Sequence, residues 1–242
     1  MSVWAVLAAA GRGERLGGAA DGAAGPGAVA PPNPDRPKAF AQLRGRPLLG
    51  ESLERLEASA WIDSIVVVAP PGWEEPVILL AEELGCGKVV ASVAGGDSRA
   101  GSVRIGVGEV DEDAAAIVVH DAARPLVSDE VVERLLEALG EGWDGAVPAL
   151  AVPDTIKRVR DGTVVETLPR SELVAVQTPQ AFVASVLRAA VAGEAEGTDC
   201  SSLVEAAGGR VKVVEGDPRL LKVTTADDLA LVESWLVGAE PA

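Results

Sequence analysis

Val3-Trp4-Ala5-Val6-Leu7-Ala8-Ala9-Ala10-Gly11-Arg12-Gly13 is the stretch on which the fold turns. The apolar run Val3–Ala8 reads as a strand buried on both faces, the kind found inside a parallel sheet. Small residues and glycines follow at once, so the strand empties into a turn whose backbone can come close to a ligand. Further strands and helices alternate along the chain, with no internal repeat. Ser64–Ala69, Lys88–Val93, Ala115–His120 and Gly145–Leu150 read as further strands. Pro47–Ala60, Trp73–Leu84, Ser98–Glu109 and Asp129–Leu139 read as helices. The first carries Leu48, Leu49, Leu53 and Leu56 on one face, and the last is capped by Ser128. Strands alternating with helices at this spacing predict an α/β fold with a doubly wound, mainly parallel, Rossmann-like sheet.

The alternation stops after Leu150. Asp154–Arg160 and Thr163–Leu168 flank Asp161-Gly162, a strong hairpin turn signal. Their charged, alternating residues predict a β-ribbon, about 154–170, that projects from the domain. A lone ribbon is marginal in water, so it is expected to pack on a partner as a dimerisation arm. Beyond it, Val174–Gln177 reads as a strand, and Phe182–Val191 and Asp199–Ala207 as helices. Arg210–Glu215 and Leu221–Val223 read as strands. The last helix, Ala226–Leu236, opens on a capping box of Thr225 and Asp228. The stretch 17–36 has Val29 as its one sizeable apolar residue and is expected to be a flexible insertion.

With 242 residues the chain can form one large α/β domain over 1–242, and a second full domain would be cramped. A net charge of -16 repels a polyanion, and 3% aromatics leaves few stacking platforms, so nucleic acid is not an expected partner. Small phosphorylated molecules remain open, because a few Arg and Lys can build a local positive pocket. Cys86 and Cys200 have no metal-like or redox spacing and are expected to be idle thiols. Met1-Ser2-Val3-Trp4 lacks a basic leader and no apolar run reaches the length of a membrane span, so a cytoplasmic location is expected.

Four strings carry candidate chemistry. Leu7 to Arg15 joins a strand to a small-residue turn and then a cation. It is neither a Walker A sequence nor a complete G-x-G-x-x-G. Arg36-Pro37-Lys38-Ala39-Phe40 sets a Lys behind a Pro, a candidate phosphate clamp. Gly95-Gly96-Asp97-Ser98-Arg99, with Ser102, places two glycines before a helix start. Val118 to Pro125 puts Asp121 at the end of a buried strand, where doubly wound folds bind ligands, and a carboxylate suits Mg²⁺. Arg124 could fork onto a phosphate. His120 is the single histidine, and it reads as a residue that positions the Asp121 loop. Taken singly, these strings also read as a tight turn, a solvated Lys, a helix cap and a strand end.

In one order, AAAGRGERLG, PKAF, GGDSRAGSV, HDAARP, PDTIK, QTPQAF and LKVTTADDL resemble the 2-C-methyl-D-erythritol 4-phosphate cytidylyltransferase family over nearly the whole chain. The resemblance implies transfer of the cytidylyl group of CTP to that acceptor with Mg²⁺, releasing pyrophosphate. It implies that Ala9, Ala10, Gly11, Gly96, Asp97, Ser102 and Ala122 surround the nucleotide. Arg15 and Lys38 would be catalytic, holding the triphosphate. Asp121, Arg124, Thr155, Arg170, Thr178 and Lys222 would bind the acceptor, with Asp121 also beside the metal. Arg170 would act in the neighbouring subunit's site, making a homodimer with shared active sites. Two departures stand out: Ala39 where the family usually has Gln, and the long segment between Arg15 and Lys38. Lengthening a flexible loop costs only about 0.6 kcal/mol per doubling. Alternatives are a ribitol 5-phosphate or sugar 1-phosphate acceptor, a nucleotide-binding regulator without turnover, or a dehydrogenase with a degenerate loop.

Overall fold

The computed structural model describes residues 2–11, 37–193 and 197–237. The predicted insertion 17–36, like Arg15, lies outside them. From the N-terminus, β1 (Val3–Ala8) is followed by a short antiparallel pair, β2 (Gln42–Leu43) and β3 (Arg46–Pro47), and by α1 (Leu48–Ala58). Then come β4 (Ser64–Ala69), α2 (Glu74–Glu83), β5 (Val89–Ala94) and α3 (Arg99–Gly108). Next are β6 (Ala116–Asp121), α4 (Asp129–Gly140) and β7 (Gly145–Ala151). A separate hairpin, β8 (Ile156–Arg160) and β9 (Thr163–Leu168), leads to β10 (Val174–Val176) and β11 (Gln180–Val183). The chain closes with α5 (Ala184–Val191), α6 (Cys200–Ala206), β12 (Val211–Glu215) and α7 (Ala226–Val237).

Among the described residues the main sheet has eight strands. Seven run in the order β10-β7-β11-β6-β1-β4-β5, and β12 pairs with β7. The strands β5, β4, β1 and β6 are parallel, as are β12 and β7. Two run the other way: β11 lies between β6 and β7, and β10 pairs with the far end of β7. The chain grows from β1 outward to β4 and β5, then returns to lay β6 on the other edge of β1. That reversal leaves a crevice at the carboxyl ends of β1 and β6, the place where such sheets take ligands.

Alternation along each central strand feeds two apolar layers. Ala5, Leu7, Ile65, Val67 and Val118 face the layer covered by α1, α2 and α4. Trp4, Val6, Val66, Val68, Ile117 and Val119 face the layer covered by α3, α5 and α6. Burial on both faces explains why these strands are apolar throughout. A smaller cluster of Leu43, Leu48, Leu126, Val223, Leu229 and Val232 seats α7. No helix among the described residues is long and apolar enough to cross a membrane.

The strands and helices read from the sequence are present, with three corrections. Gln180–Val183 is a strand and the helix begins at Ala184, because the buried Gln180, Ala181 and Phe182 insert between β6 and β7. Leu221–Val223 forms no strand; its one ladder-like contact is the Val223 N–H donating to the Ala123 carbonyl. Ser128 occupies the N-cap of α4 without a side-chain cap bond. The capping box of α7 does form: the Thr225 N–H donates to Asp228 Oδ2 and the Asp228 N–H to Thr225 Oγ1.

The hairpin turns at Asp161 and Gly162, both with positive φ (47° and 75°), the primed geometry that suits strand twist. Its strands pair only with each other among the described residues, and most of their residues are exposed.

Candidate active site

Ala8 lies in register beside Asp121, so the small-residue turn after β1 and the acid ending β6 emerge together. An open cavity of about 410 Å³ forms there. One wall is Ala9, Ala10 and Gly11. Beside it stand Gly96 and Asp97, in the loop before α3, and Ser102 of α3. Lys38 arrives from beyond the insertion, Asp121 and Ala122 from β6, and Lys222 from the stretch before α7. The four separate strings of the sequence therefore meet in one pocket.

The turn after β1 and the loop before α3 touch because a glycine permits it. A Cβ on Gly95 would fall 2.3 Å from the Cβ of Ala10. Ser102 Oγ then accepts from the Gly96 N–H at 3.1 Å, and the Ser98 side chain caps α3 by accepting from the Gly101 N–H at 3.0 Å. Ala39 lines the same pocket and is buried in the core cluster, so no side-chain amide stands where the resemblance leads one to expect Gln.

Asp121 is the electrostatic centre. Its Oδ2 accepts from Lys222 Nζ at 2.6 Å and its Oδ1 from Arg99 Nη2 at 3.2 Å. Burial alone would push the carboxyl pKa up. The charges of Arg99 and then Lys222 outweigh that and hold it well below the usual carboxylate range. The group is therefore ionised at neutral pH.

Behind it runs a directional chain of hydrogen bonds. The Asp121 N–H donates to Thr178 Oγ1 at 3.0 Å, and that hydroxyl stands 3.2 Å from His120 Nδ1. His120 Nε2 lies 2.9 Å from the Arg124 carbonyl, which can only accept. The network therefore assigns the Nε2–H tautomer, with Thr178 donating to Nδ1. Burial lowers the His120 pKa to about 4, against a raising contribution from the Arg124 hydrogen bond, so the ring is neutral. Both nitrogens are engaged away from the cavity, and His120 positions the Asp121 loop, as its place at a strand end suggested.

The remaining expected residues divide. Arg124 does not line the cavity: its Nη1 donates to the Leu220 carbonyl at 2.5 Å and braces the segment leading to Lys222. Thr178 is buried behind Asp121. Thr155 and Arg170 are exposed at the foot of the hairpin, where Arg170 Nη1 donates to the Pro153 carbonyl. Neither lines this pocket.

The structure adds Arg99, which the sequence reading quoted at a helix start without giving it a role. It also explains the QTPQ string. Gln177 pairs with the backbone of Asp217 through both ends of its amide, while Gln180 donates to Asp199 Oδ2 and accepts from the Cys200 N–H. Cys86 and Cys200 are buried free thiols. Among the described residues no group of three His, Cys, Asp or Glu side chains could hold a metal ion.

A doubly wound α/β sheet with a small-residue turn, a helix start and cations around one carboxylate at its switch point defines a nucleotide- and phosphate-handling protein. More narrowly, the chain belongs to the 2-C-methyl-D-erythritol 4-phosphate cytidylyltransferase (IspD) family, which matches residues 3–237. It is 41% identical over 242 residues to the 2-C-methyl-D-erythritol 4-phosphate cytidylyltransferase of Frankia casuarinae, covering 99% of this chain and 83% of that protein. The fold is similar to the solved 4-diphosphocytidyl-2C-methyl-D-erythritol synthase of Anaerococcus prevotii, with TM-score 0.78, 26% identity and 98% of both chains covered. It is likewise similar to the 2-C-methyl-D-erythritol 4-phosphate cytidylyltransferase of Thermus thermophilus, with TM-score 0.72, 33% identity, and 96% and 98% covered.

Proposed function

We propose that this chain transfers the cytidylyl group of CTP to 2-C-methyl-D-erythritol 4-phosphate, giving 4-diphosphocytidyl-2-C-methyl-D-erythritol and pyrophosphate, as a single nucleotidyltransferase domain in the cytoplasm. Family membership across residues 3–237 carries the reading. The convergence of Lys38, Asp121 and Lys222 on the small-residue turn supports it from the geometry.

The acceptor phosphate is largely dianionic at neutral pH and needs no base to attack. Its oxygen forms a bond to the α-phosphorus of CTP while the bond to the bridging oxygen of pyrophosphate breaks. Bringing two anions together is the obstacle, so catalysis is positioning and charge neutralisation. Ala9, Ala10, Gly11, Gly96, Asp97, Ser102 and Ala122 would enclose the nucleotide. Lys38 would offset charge developing at the reacting phosphates, with Arg15 assigned the same task by its place after the turn. Lys222, set by Asp121, would hold the acceptor, with Arg124 bracing its segment and Thr178 fixing the Asp121 backbone.

A protein-built metal cage does not fit these residues. A Mg²⁺ ion carried mainly by substrate phosphates does, because such ions take one or two carboxylates, and each Asp121 oxygen has a second lone pair. Bound there, the ion supplies further charge neutralisation.

The exposed Val159, Val164 and Val165 on a two-stranded ribbon support its packing against a second copy of the chain. In such a homodimer Thr155 and Arg170 would complete the acceptor site of the neighbour. Pyrophosphate release with CTP, Mg²⁺ and methylerythritol phosphate, run beside ribitol 5-phosphate, tests the reaction. Faster turnover of methylerythritol phosphate is expected. Preference for ribitol 5-phosphate would reassign the acceptor, and CTP binding without release would leave a nucleotide-binding regulator.

A further inference from the structure

We propose that Arg99 is a positioning residue for the acceptor side of the reaction, acting through Asp121. The inference rests on the cytidylyl-transfer reading above and assigns a role to a pocket residue that the sequence reading gave none.

Arg99 is the first residue of α3, where the helix dipole disfavours a cation. Partial burial disfavours it further, and only neighbouring groups can offset both. Its side chain leaves α3 to reach Asp121 at the end of β6, 22 residues away. There it takes Oδ1, while Lys222 takes Oδ2. Two cations on different oxygens, arriving from different segments, fix the plane of the carboxylate. The other terminal nitrogen, Nη1, lies 3.6 Å from the buried Cys200 Sγ, so the guanidinium is anchored at both ends. Cys200 is in turn held through its N–H by Gln180.

The consequence falls on Lys222. That residue sits between β12 and α7, outside regular structure, and its ammonium is placed by Asp121. Without Arg99 the carboxylate keeps one partner instead of two and can rotate, and Lys222 follows it. A misplacement of about 1 Å can cost on the order of a hundredfold in rate. Arg99 also ties the nucleotide-side loop, Gly96 to Ser98, to the acceptor-side acid, so it links the two halves of the site.

The test is a kinetic split with a double-mutant cycle. Arg99→Gln should lower turnover about tenfold to a hundredfold, while the CTP dissociation constant, measured without acceptor, stays within about twofold. Arg99→Lys should recover part of the loss, since an ammonium can reach Oδ1 but cannot also reach Cys200. In an Asp121→Asn background, adding Arg99→Gln should cost no more than about twofold. Near-wild-type turnover of Arg99→Gln, an undiminished effect beside Asp121→Asn, or an equal loss of CTP affinity would each overturn the assignment. If Arg99→Gln does not fold, Arg99→Lys decides: reduced turnover with intact CTP binding supports the role, and unchanged kinetics refutes it. Wild-type enzyme runs in the same series, and absence of its turnover would sink the reaction itself and this inference with it.

Discussion

The pocket at the ends of β1 and β6 and the foot of the β8–β9 hairpin hold two halves of one expected site, and they are built differently. In the pocket the central carboxylate is tied down. Asp121 is gripped by Arg99 and Lys222, its backbone by Thr178, and Thr178 by a neutral His120. At the hairpin foot Thr155 and Arg170 are exposed, and the Arg170 side chain donates to the nearby Pro153 carbonyl. A buried network is pre-organised within one chain. The hairpin foot instead presents its groups to solvent. In the proposed homodimer one chain would set the charge around the reaction and a second chain would close it.

The largest expected effect lies in the pocket. Lys38→Met should lower kcat by about a hundredfold or more, the usual scale for one pre-organised charge stabiliser, with a smaller loss of CTP affinity. Arg15→Met should behave alike. A variant of either residue that keeps near-wild-type kcat would remove that residue from the machinery. Asp121→Asn comes next. It keeps the shape, removes the charge that Arg99 and Lys222 share, and should lower activity about tenfold to a hundredfold while raising the Mg²⁺ needed for half-maximal rate. An unchanged Mg²⁺ titration would show that the carboxylate does not serve the metal.

Stability sharpens the comparison from another side. Burial holds His120 at about 4 in the folded protein, against 6.5 as its ordinary value. Between these values the unfolded chain binds the proton and the folded chain does not. This contribution is therefore full above about pH 6.5 and is lost as pH falls toward 4. Acidifying from about pH 7 to about pH 5 should remove about 2 kcal/mol of unfolding free energy through this residue. With one histidine in the chain, His120→Gln should lack most of that slope in urea titrations. An equal slope in both proteins would mean that other groups set it. The smallest effect is expected from shortening 17–36 to a few residues. Its composition predicts little change in melting temperature, and a large loss would show that the segment packs on the core.

Much of this was legible in the sequence because the information was local. Apolar runs such as Ser64–Ala69 announce strands buried on both faces, and Asp161-Gly162 announces its own turn. Thr225 and Asp228 announce a capping box that forms. What escaped was non-local. Phe182 reads as the start of a helix, but pairing between β6 and β7 draws it into a strand. Arg99 reads as one more charged residue on a helix's first turn, and its partners Asp121 and Cys200 are distant in sequence. The structural use of Thr178, behind Asp121 rather than in the cavity, was equally invisible, since a hydroxyl carries no sequence mark of which group it will face.

The central claim is that a complete site needs the pocket of one chain and the hairpin foot of another. Subunit mixing tests it most directly. Arg170→Ala and Thr178→Ala should each be nearly inactive alone, the first damaging the neighbour's site and the second its own. In a mixed dimer both lesions fall in one site and the other is intact. With exchange verified, mixing the two should restore activity up to about a quarter of wild type, the expectation for random pairing with one good site per mixed dimer. Activity that stays at the level of the single variants would contradict a site shared between chains.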